Sequence, residues 1–497
     1  MTFLKKNLHL FVLFSITLLG SYFRLEHIHQ NAHWFGDPGR DILVAKHLSL
    51  YKENLMIAPD AFGGLGLLRN SPLYYWLLSI IYFFFRSPES IQLFFAIAGI
   101  SIVPLSYFLF REIANKFSSL AFSFFIAISA DFIYFSRNIW QPHLLIPFQI
   151  ISIIFFIKGL KKSYYYYWSL LFAFIATHIH FSYIFLLLTT IILITFSLLN
   201  QKKHKHFAYS YILILINIII WTLLTRNFLN KSTSVLAIFQ RIFINGNAKE
   251  FTQNVLSNFQ ILQDGSLFLT QIETPLVIIF LMMITSFFLL YVKLSKQSKQ
   301  IYQMTVAMLI SIIFFGIYHT SVYFHYLYAY LFIFKMSIFV FFSNIKIAKY
   351  LFLIPLLLFS CNSLKKLSDY YVEEKISEMQ INMMIAQAIL KHSNNQIDNI
   401  SIKTCLSQEH RCSNPESFNS SVWFFIEEIL DKKLGTLSNL GNGNNYLPNN
   451  YYFNKQDWYI VCQYSRDICL NDLQINISKT KEIFAIDKIT VSHYSKD

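Results

Sequence analysis

The sequence predicts an all-α polytopic membrane protein with a large first outer loop and a small α+β extracytoplasmic domain at its C-terminal end. Three observations predict it. Of 497 residues, 55% are hydrophobic, 18% aromatic and only 14% charged, which lies outside the range of soluble globular chains. Apolar runs of spanning length recur, separated by short loops rich in lysine and arginine. From Asp369 onward the composition turns to Asn, Ser, Asp and Glu with intermittent apolar stretches. The formal net charge of +14 could suit a polyanion, but residues 1–364 carry 27 Lys and Arg against 11 Asp and Glu, and the remainder 14 against 16. The excess therefore belongs to cytoplasmic loop ends, and no nucleic acid partner is expected.

Lys5 and Lys6 precede an apolar run from about Leu8 to Phe23 with no small-residue cleavage site after it. It reads as a first span with the N-terminus inside. Residues 24–89 form the large outer loop. Within it, Pro72 to Phe85 is shorter than the roughly 20 residues a span needs, so it is expected to lie along the interface. Ser90 to Phe110 is span two and Phe117 to Phe135 span three, joined by REIANK inside. Span four, about Trp140 to Ile157, delivers KGLKK inside. Tyr164 to Leu199 must be two helices broken near Thr177 to His180, followed by QKKHKH inside. Span seven runs from about Phe207 to Leu224, eight from about Pro275 to Val292, nine from Ile301 to Tyr318, ten from Tyr323 to Phe342 and eleven from Tyr350 to Cys361. Five consecutive basic loops then share the cytoplasmic side, and all five would flip if Pro72 to Phe85 spanned. The expected organisation is a transmembrane part, 1–364, with about eleven helices, N-in and C-out, and an extracytoplasmic domain, 365–497.

That domain is read as a helix around Val372 to His392 followed by strand-like runs WYIVCQY and EIFAIDKITVSHY. Four of the five cysteines lie in it, Cys405, Cys412, Cys462 and Cys469. Their extracytoplasmic setting favours disulfides over free thiols, with connectivity open, and zinc is the alternative although neither pair has CxxC spacing.

The polar residues gather on one side. Asp37, Arg40, Asp41, Arg69, Arg137, His143, His178, His180, Arg226, His319 and His325 all fall near the outer face, where ionisable groups are costly unless they line a cavity or bind a ligand. In WFGDPGRDILVAKHL, a helix starting near Pro38 with Asp37 as its cap puts Asp37 and Asp41 on one face. Arginines from separate spans suit a phosphate, because the guanidinium fork binds its oxygens bidentately. A carboxylate beside them suits deprotonating a hydroxyl or amine acceptor, or holding a divalent cation. Each residue also has a structural alternative. Arg137 and Arg226 end spans and can snorkel, His178 and His180 flank a helix break and can satisfy local backbone, and Asp131 and Lys335, inside spans three and ten, are expected to be paired.

The segments GDPGRD, NSPLYYWLL, FREIANKFSSLAFSFF and YFSRNIWQPHLL, in that order, resemble the membrane glycosyltransferases of the GT-C superfamily. The nearest resemblance is to family 39, which includes protein O-mannosyltransferases and the aminoarabinose transferase acting on lipid A. It covers roughly residues 1–350. The resemblance implies a polyprenyl-phosphate sugar as donor, a lipid, glycan or protein as acceptor, membrane lipids as surroundings, and a site on the periplasmic side of a bacterial cytoplasmic (inner) membrane. Asp37 takes the family's acidic position as catalytic base or cation contact. Pro38 stands where members often carry a second acid, which leaves Asp41 as its substitute and weakens a metal pair; magnesium or manganese is admitted but not required. Arg40, Arg69, Arg137, Arg226 and His325 are the implied contacts of the donor phosphate. Asn70, where aminoarabinose transferases have a lysine, lines the substrate cavity with Tyr74, His143, His178 and His180. A lipid-linked saccharide transporter or flippase, and an outer-leaflet polysaccharide polymerase or ligase, are the competing functions.

Overall fold

A computed structural model describes residues 2–29, 34, 37–53, 71–224, 328–343, 377–395, 400–405, 420–431, 457–462, 480–486 and 489–495, with a few isolated positions besides. Spans eight, nine and eleven of the sequence reading, together with Arg69, Asn70, Arg226, His319 and His325, lie outside the described residues. The described chain is mostly helical and gathers into two compact units: residues 1–26, 94–137 and 141–373 form the first, and residues 27–93, 138–140 and 374–497 the second. The outer loop, placed by sequence with residues 1–364, thus belongs to the same unit as the C-terminal segment.

The long helices follow the apolar runs. They are α1 (Thr2–Leu25), α4 (Pro88–Arg111), α5 (Lys116–Ile128), α6 (Ala130–Arg137), α7 (Leu145–Gly159), α8 (Tyr165–Ile179), α9 (Ile184–Asn200), α10 (His204–Leu224) and α11 (Tyr328–Ser343). Asn7–Leu25, Pro88–Arg111 and Gln141–Gly159 are long and apolar enough to cross a membrane. The chain is a multi-pass membrane protein. The break expected near Thr177 to His180 is present: α8 ends at Ile179, and a short 3₁₀ turn, Phe181–Tyr183, leads into α9.

Span three is not one straight helix. The segments Lys116–Ala127 and Ala130–Arg137 meet at 53°. Ser129 is extended there, and the carbonyls that the interrupted ladder exposes find a side-chain donor. The fully buried Arg24 of α1 donates through Nη1 to the Ala127 carbonyl at 2.9 Å and through Nη2 to that of Ile126 at 3.1 Å. On the other side of the bend Lys335 of α11 donates to Ser129 Oγ at 2.8 Å and pairs with Asp131. The two intramembrane charges expected to be paired are therefore each other's partners. Helices α4 and α6 approach so closely that the Ser136 side chain sits where a Cβ on Gly99 would go.

In the second unit, α2 (Asp37–Leu50) and α3 (Leu73–Phe85) come from the outer loop, and α12 (Glu378–His392), α13 (Ser420–Leu430) and a four-stranded sheet come from the C-terminal segment. Helix α12 opens with a capping box between Ser377 and Gln380. The sheet has the order β1 (Ile400–Cys405), β2 (Asp457–Cys462), β4 (Ile489–Ser495), β3 (Thr480–Ile486). β1 and β2 are parallel, with Cys405 opposite Cys462, and the other neighbours are antiparallel. Cys462 is disulfide-bonded. Helix α3 is below spanning length. It buries Tyr74, Tyr75, Leu78 and Tyr82 and exposes Ile80, Phe83, Phe84 and Phe85.

Candidate active site

Helix α2 is a polar element that is almost wholly buried, with Pro38 through His47 out of solvent. Pro38 lies one residue inside its start, where a missing N–H costs nothing, and the spacing of three and four residues stacks Asp37, Arg40 and Asp41 on one face. The Arg40 guanidinium bridges the acids. Nη1 donates to Asp37 Oδ1 at 2.7 Å, and Nη2 and Nε donate to Asp41 Oδ1 at 2.8 and 3.1 Å. From α3, Tyr75 donates its hydroxyl to the same Asp41 oxygen at 2.8 Å, and Tyr74 donates to Asp41 Oδ2 at 3.0 Å. Asp41 is thus buried with both oxygens engaged.

Asp37 differs in both respects. Its side chain is 39% exposed, and only Oδ1 has a hydrogen-bond partner among the described residues. Oδ2 remains able to accept a proton or a hydrogen bond from a substrate. Around the buried pair, burial raises the Asp41 carboxyl above its ordinary range; Arg40 opposes this and Asp37 adds to it. Burial alone would lower Arg40, but Asp37, Tyr75 and Asp41 outweigh it and hold the guanidinium well above its usual value. Tyr74 and Tyr75 are likewise pushed well up, by burial first and then by Asp41. Arg40 stays charged and the tyrosines stay donors.

A divalent cation bridging the two acids does not fit this arrangement, because the guanidinium occupies the place between them. Among the described residues no group of three or more His, Cys, Asp or Glu side chains is placed to hold a metal.

The remaining candidates within the described residues belong to the first unit. Arg137 donates from Nη1 to the Phe23 carbonyl at 3.3 Å and from Nη2 to the Glu26 carbonyl at 2.5 Å, at the C-terminal end of α1. His143 packs against the Phe135 ring, 4.6 Å between centroids. His178 donates from Nε2 to Asn217 Oδ1 at 2.9 Å. His180 accepts the Ser182 backbone N–H at Nδ1, 3.2 Å, in the turn after α8. The structure brings Asp37, Arg40 and Asp41, placed on one helical face from their spacing, together with Tyr74, which the sequence reading assigns separately to the substrate cavity.

Sequence reasoning misses a second set of residues on α2. Lys46 Nζ lies 2.7 Å from Glu428 Oε1 and 3.6 Å from Glu427 Oε2. His47 Nε2 lies 3.0 Å from both Glu427 oxygens, and Nδ1 lies 3.3 Å from Glu53. Tyr82 of α3 donates to Glu428 at 2.9 Å. No local signal could have found these contacts, since α2 and α13 lie 380 positions apart at the His47 and Glu427 pair.

No protein-family profile and no curated protein matches the chain. Solved structures do. The chain is similar to ArnT from Cupriavidus metallidurans bound to undecaprenyl phosphate, with a TM-score of 0.59 at 11% identity over 98% of this chain and 97% of that one. Against the same protein in the apo state the TM-score is 0.60 at 11% identity, over 97% of both chains. At this identity the likeness is one of fold, and the fold of this chain is ArnT-like along nearly its whole length.

Proposed function

We propose that this protein is a membrane glycosyltransferase. It moves a sugar from a polyprenyl-phosphate donor to a lipid, glycan or protein acceptor at the outer face of a bacterial cytoplasmic membrane. An ArnT-like fold over 98% of the chain supports this, as does the resemblance of GDPGRD and NSPLYYWLL to family 39. The observation that carries the assignment of roles is the division between the two acids of α2. Asp37 is half-exposed and its Oδ2 has no hydrogen-bond partner among the described residues, while Asp41 is buried and saturated.

In this reading Asp37 Oδ2 takes the proton of the acceptor hydroxyl or amine as the acceptor atom bonds to the anomeric carbon. The bond from that carbon to the donor phosphate breaks, and its electron pair leaves with the phosphate. Asp41, Tyr74 and Tyr75 hold Arg40, and Arg40 holds Asp37 Oδ1, so the reacting oxygen is positioned before substrate arrives. Arg40 and Arg137, expected from sequence to meet the phosphate, are assigned to scaffolding, because their guanidinium groups serve carboxylates and helix-end carbonyls. Arg69, Arg226 and His325 are assigned to the leaving phosphate, where stabilising developing charge contributes about 3 kcal/mol or more per donor.

The test is mass spectrometry of lipid-linked sugars and envelope glycans from cells with and without the gene, complemented by wild type or Asp37→Asn. A polyprenyl-phosphate sugar should accumulate in the null strain while one glycan modification disappears. Asp37→Asn should insert normally and lose about 100-fold or more of that modification, the usual scale for a general base. Full restoration by the variant would overturn the assignment.

A further inference from the structure

Besides the acids at its start, α2 carries two charged side chains near its end that the transfer chemistry does not use, Lys46 and His47. Both are buried, and both face acidic groups of α13. Buried charges of this kind are costly unless paired and hydrogen-bonded, and here Glu427 meets both of them at once. Its Oε1 also accepts the backbone N–H of Leu434 at 3.1 Å, which fixes the carboxylate from its own side. Lys46 additionally lies over the ring of Phe424, 5.3 Å from its centroid.

The other end of α2 is held in the same way. Three residues before Asp37, the backbone N–H of Trp34 donates to Glu378 Oε2 at 2.7 Å, in the first turn of α12. The buried Trp34 indole stands 6.4 Å from the ring of Phe425 on α13. Helices α12 and α13 therefore hold the chain before Asp37 and behind it, and the polar contacts end on glutamates, Glu378 on one side and Glu427 and Glu428 on the other.

We infer that Glu378 and Glu427 of the C-terminal segment are positioning residues for Asp37, so that this segment is part of the catalytic apparatus. The inference rests on the reading of Asp37 as the acceptor-activating acid. Lys46 and His47 lie nine and ten residues after Asp37 on the same continuous helix, between two and three turns away, so a helix freed at that end can shift or rotate along its whole length. A displacement of about 1 Å at a reacting atom costs on the order of 100-fold in rate without removing any group that touches substrate.

The experiment uses the full-length protein with Glu427→Gln, Glu378→Gln and, in parallel, Asp37→Asn. Three readouts are taken: the glycan modification in cells, binding of undecaprenyl phosphate to purified protein in detergent, and backbone hydrogen exchange over residues 34–50. Both glutamine variants should lose ten-fold or more of the modification, bind undecaprenyl phosphate within two-fold of wild type, and exchange faster over 34–50. A double variant Glu427→Gln with His47→Gln, which restores a neutral hydrogen-bonding pair, should recover part of the modification. Glu378→Gln decides the matter if Glu427→Gln does not accumulate. Unchanged modification in Glu378→Gln and Glu427→Gln, with Asp37→Asn inactive, overturns the positioning role and leaves the transferase reading standing. Loss of the modification with unchanged exchange also overturns it. Full activity of Asp37→Asn removes the transferase reading instead.

Discussion

Asp37 and Asp41 are four residues apart on one helical face and differ in everything except chemistry. Asp41 accepts from Arg40, Tyr74 and Tyr75 with no exposed surface, so its removal strands a buried guanidinium and two hydroxyls. Asp41→Ala should therefore lower stability by about 3–5 kcal/mol, seen as a fall in the thermal midpoint of the purified protein. Asp37→Asn, at a half-exposed position, should leave the midpoint nearly unchanged. A comparable loss in both would mean that the two acids share one structural role. The sequence made this pair legible because i and i+4 spacing is a local property. Which of the two is open to substrate depends on Tyr74 and Tyr75, more than thirty residues away, and could not be read from it.

At the level of elements, α2 is a short, polar helix that its own composition would not keep folded in isolation. Its order comes from neighbours on α3 and α13. Within that grip, burial alone would lower the His47 pKa, but hydrogen bonds with Glu427 and Glu53 outweigh it and raise it above the ordinary histidine value. Lys46 and Glu428 also face this group, and Tyr51 is pushed up to about 12 by burial and by Glu427, Glu428, Asp431 and Glu53. Because the folded state holds the His47 proton more tightly than the unfolded state, the pair's contribution is complete below about pH 6.5. It is lost as pH rises through the raised folded value. The thermal midpoint should fall as pH is taken from 6 to 9, and His47→Gln should flatten that dependence; an equal slope in the variant would place the titration elsewhere. The bend between α5 and α6 is the converse case. Its apolar run reads as one span, and Arg24 and Lys335, arriving from α1 and α11, satisfy the groups that the interruption exposes.

For the whole molecule, the topology makes its own prediction. The topology proposed from the sequence, N-terminus inside and short basic loops cytoplasmic, predicts that alkaline phosphatase fused after residue 497 is active and fused after Lys203, in the QKKHKH loop, inactive. The reverse pattern would invert every assignment of side. The sequence by itself determined the membrane class, the basic-loop bias, the break before His180 and the neighbourhood of Asp37, Arg40 and Asp41. These follow from composition and from periods of a few residues, which are local quantities. The tertiary structure decided which acid is buried, where Arg40 and Arg137 direct their donors, and that residues 27–93 and 374–497 form one compact unit. Those outcomes depend on buried charge pairs formed between segments as much as 380 residues apart. A buried charge must find a partner wherever the fold brings one, and sequence distance carries no record of that search.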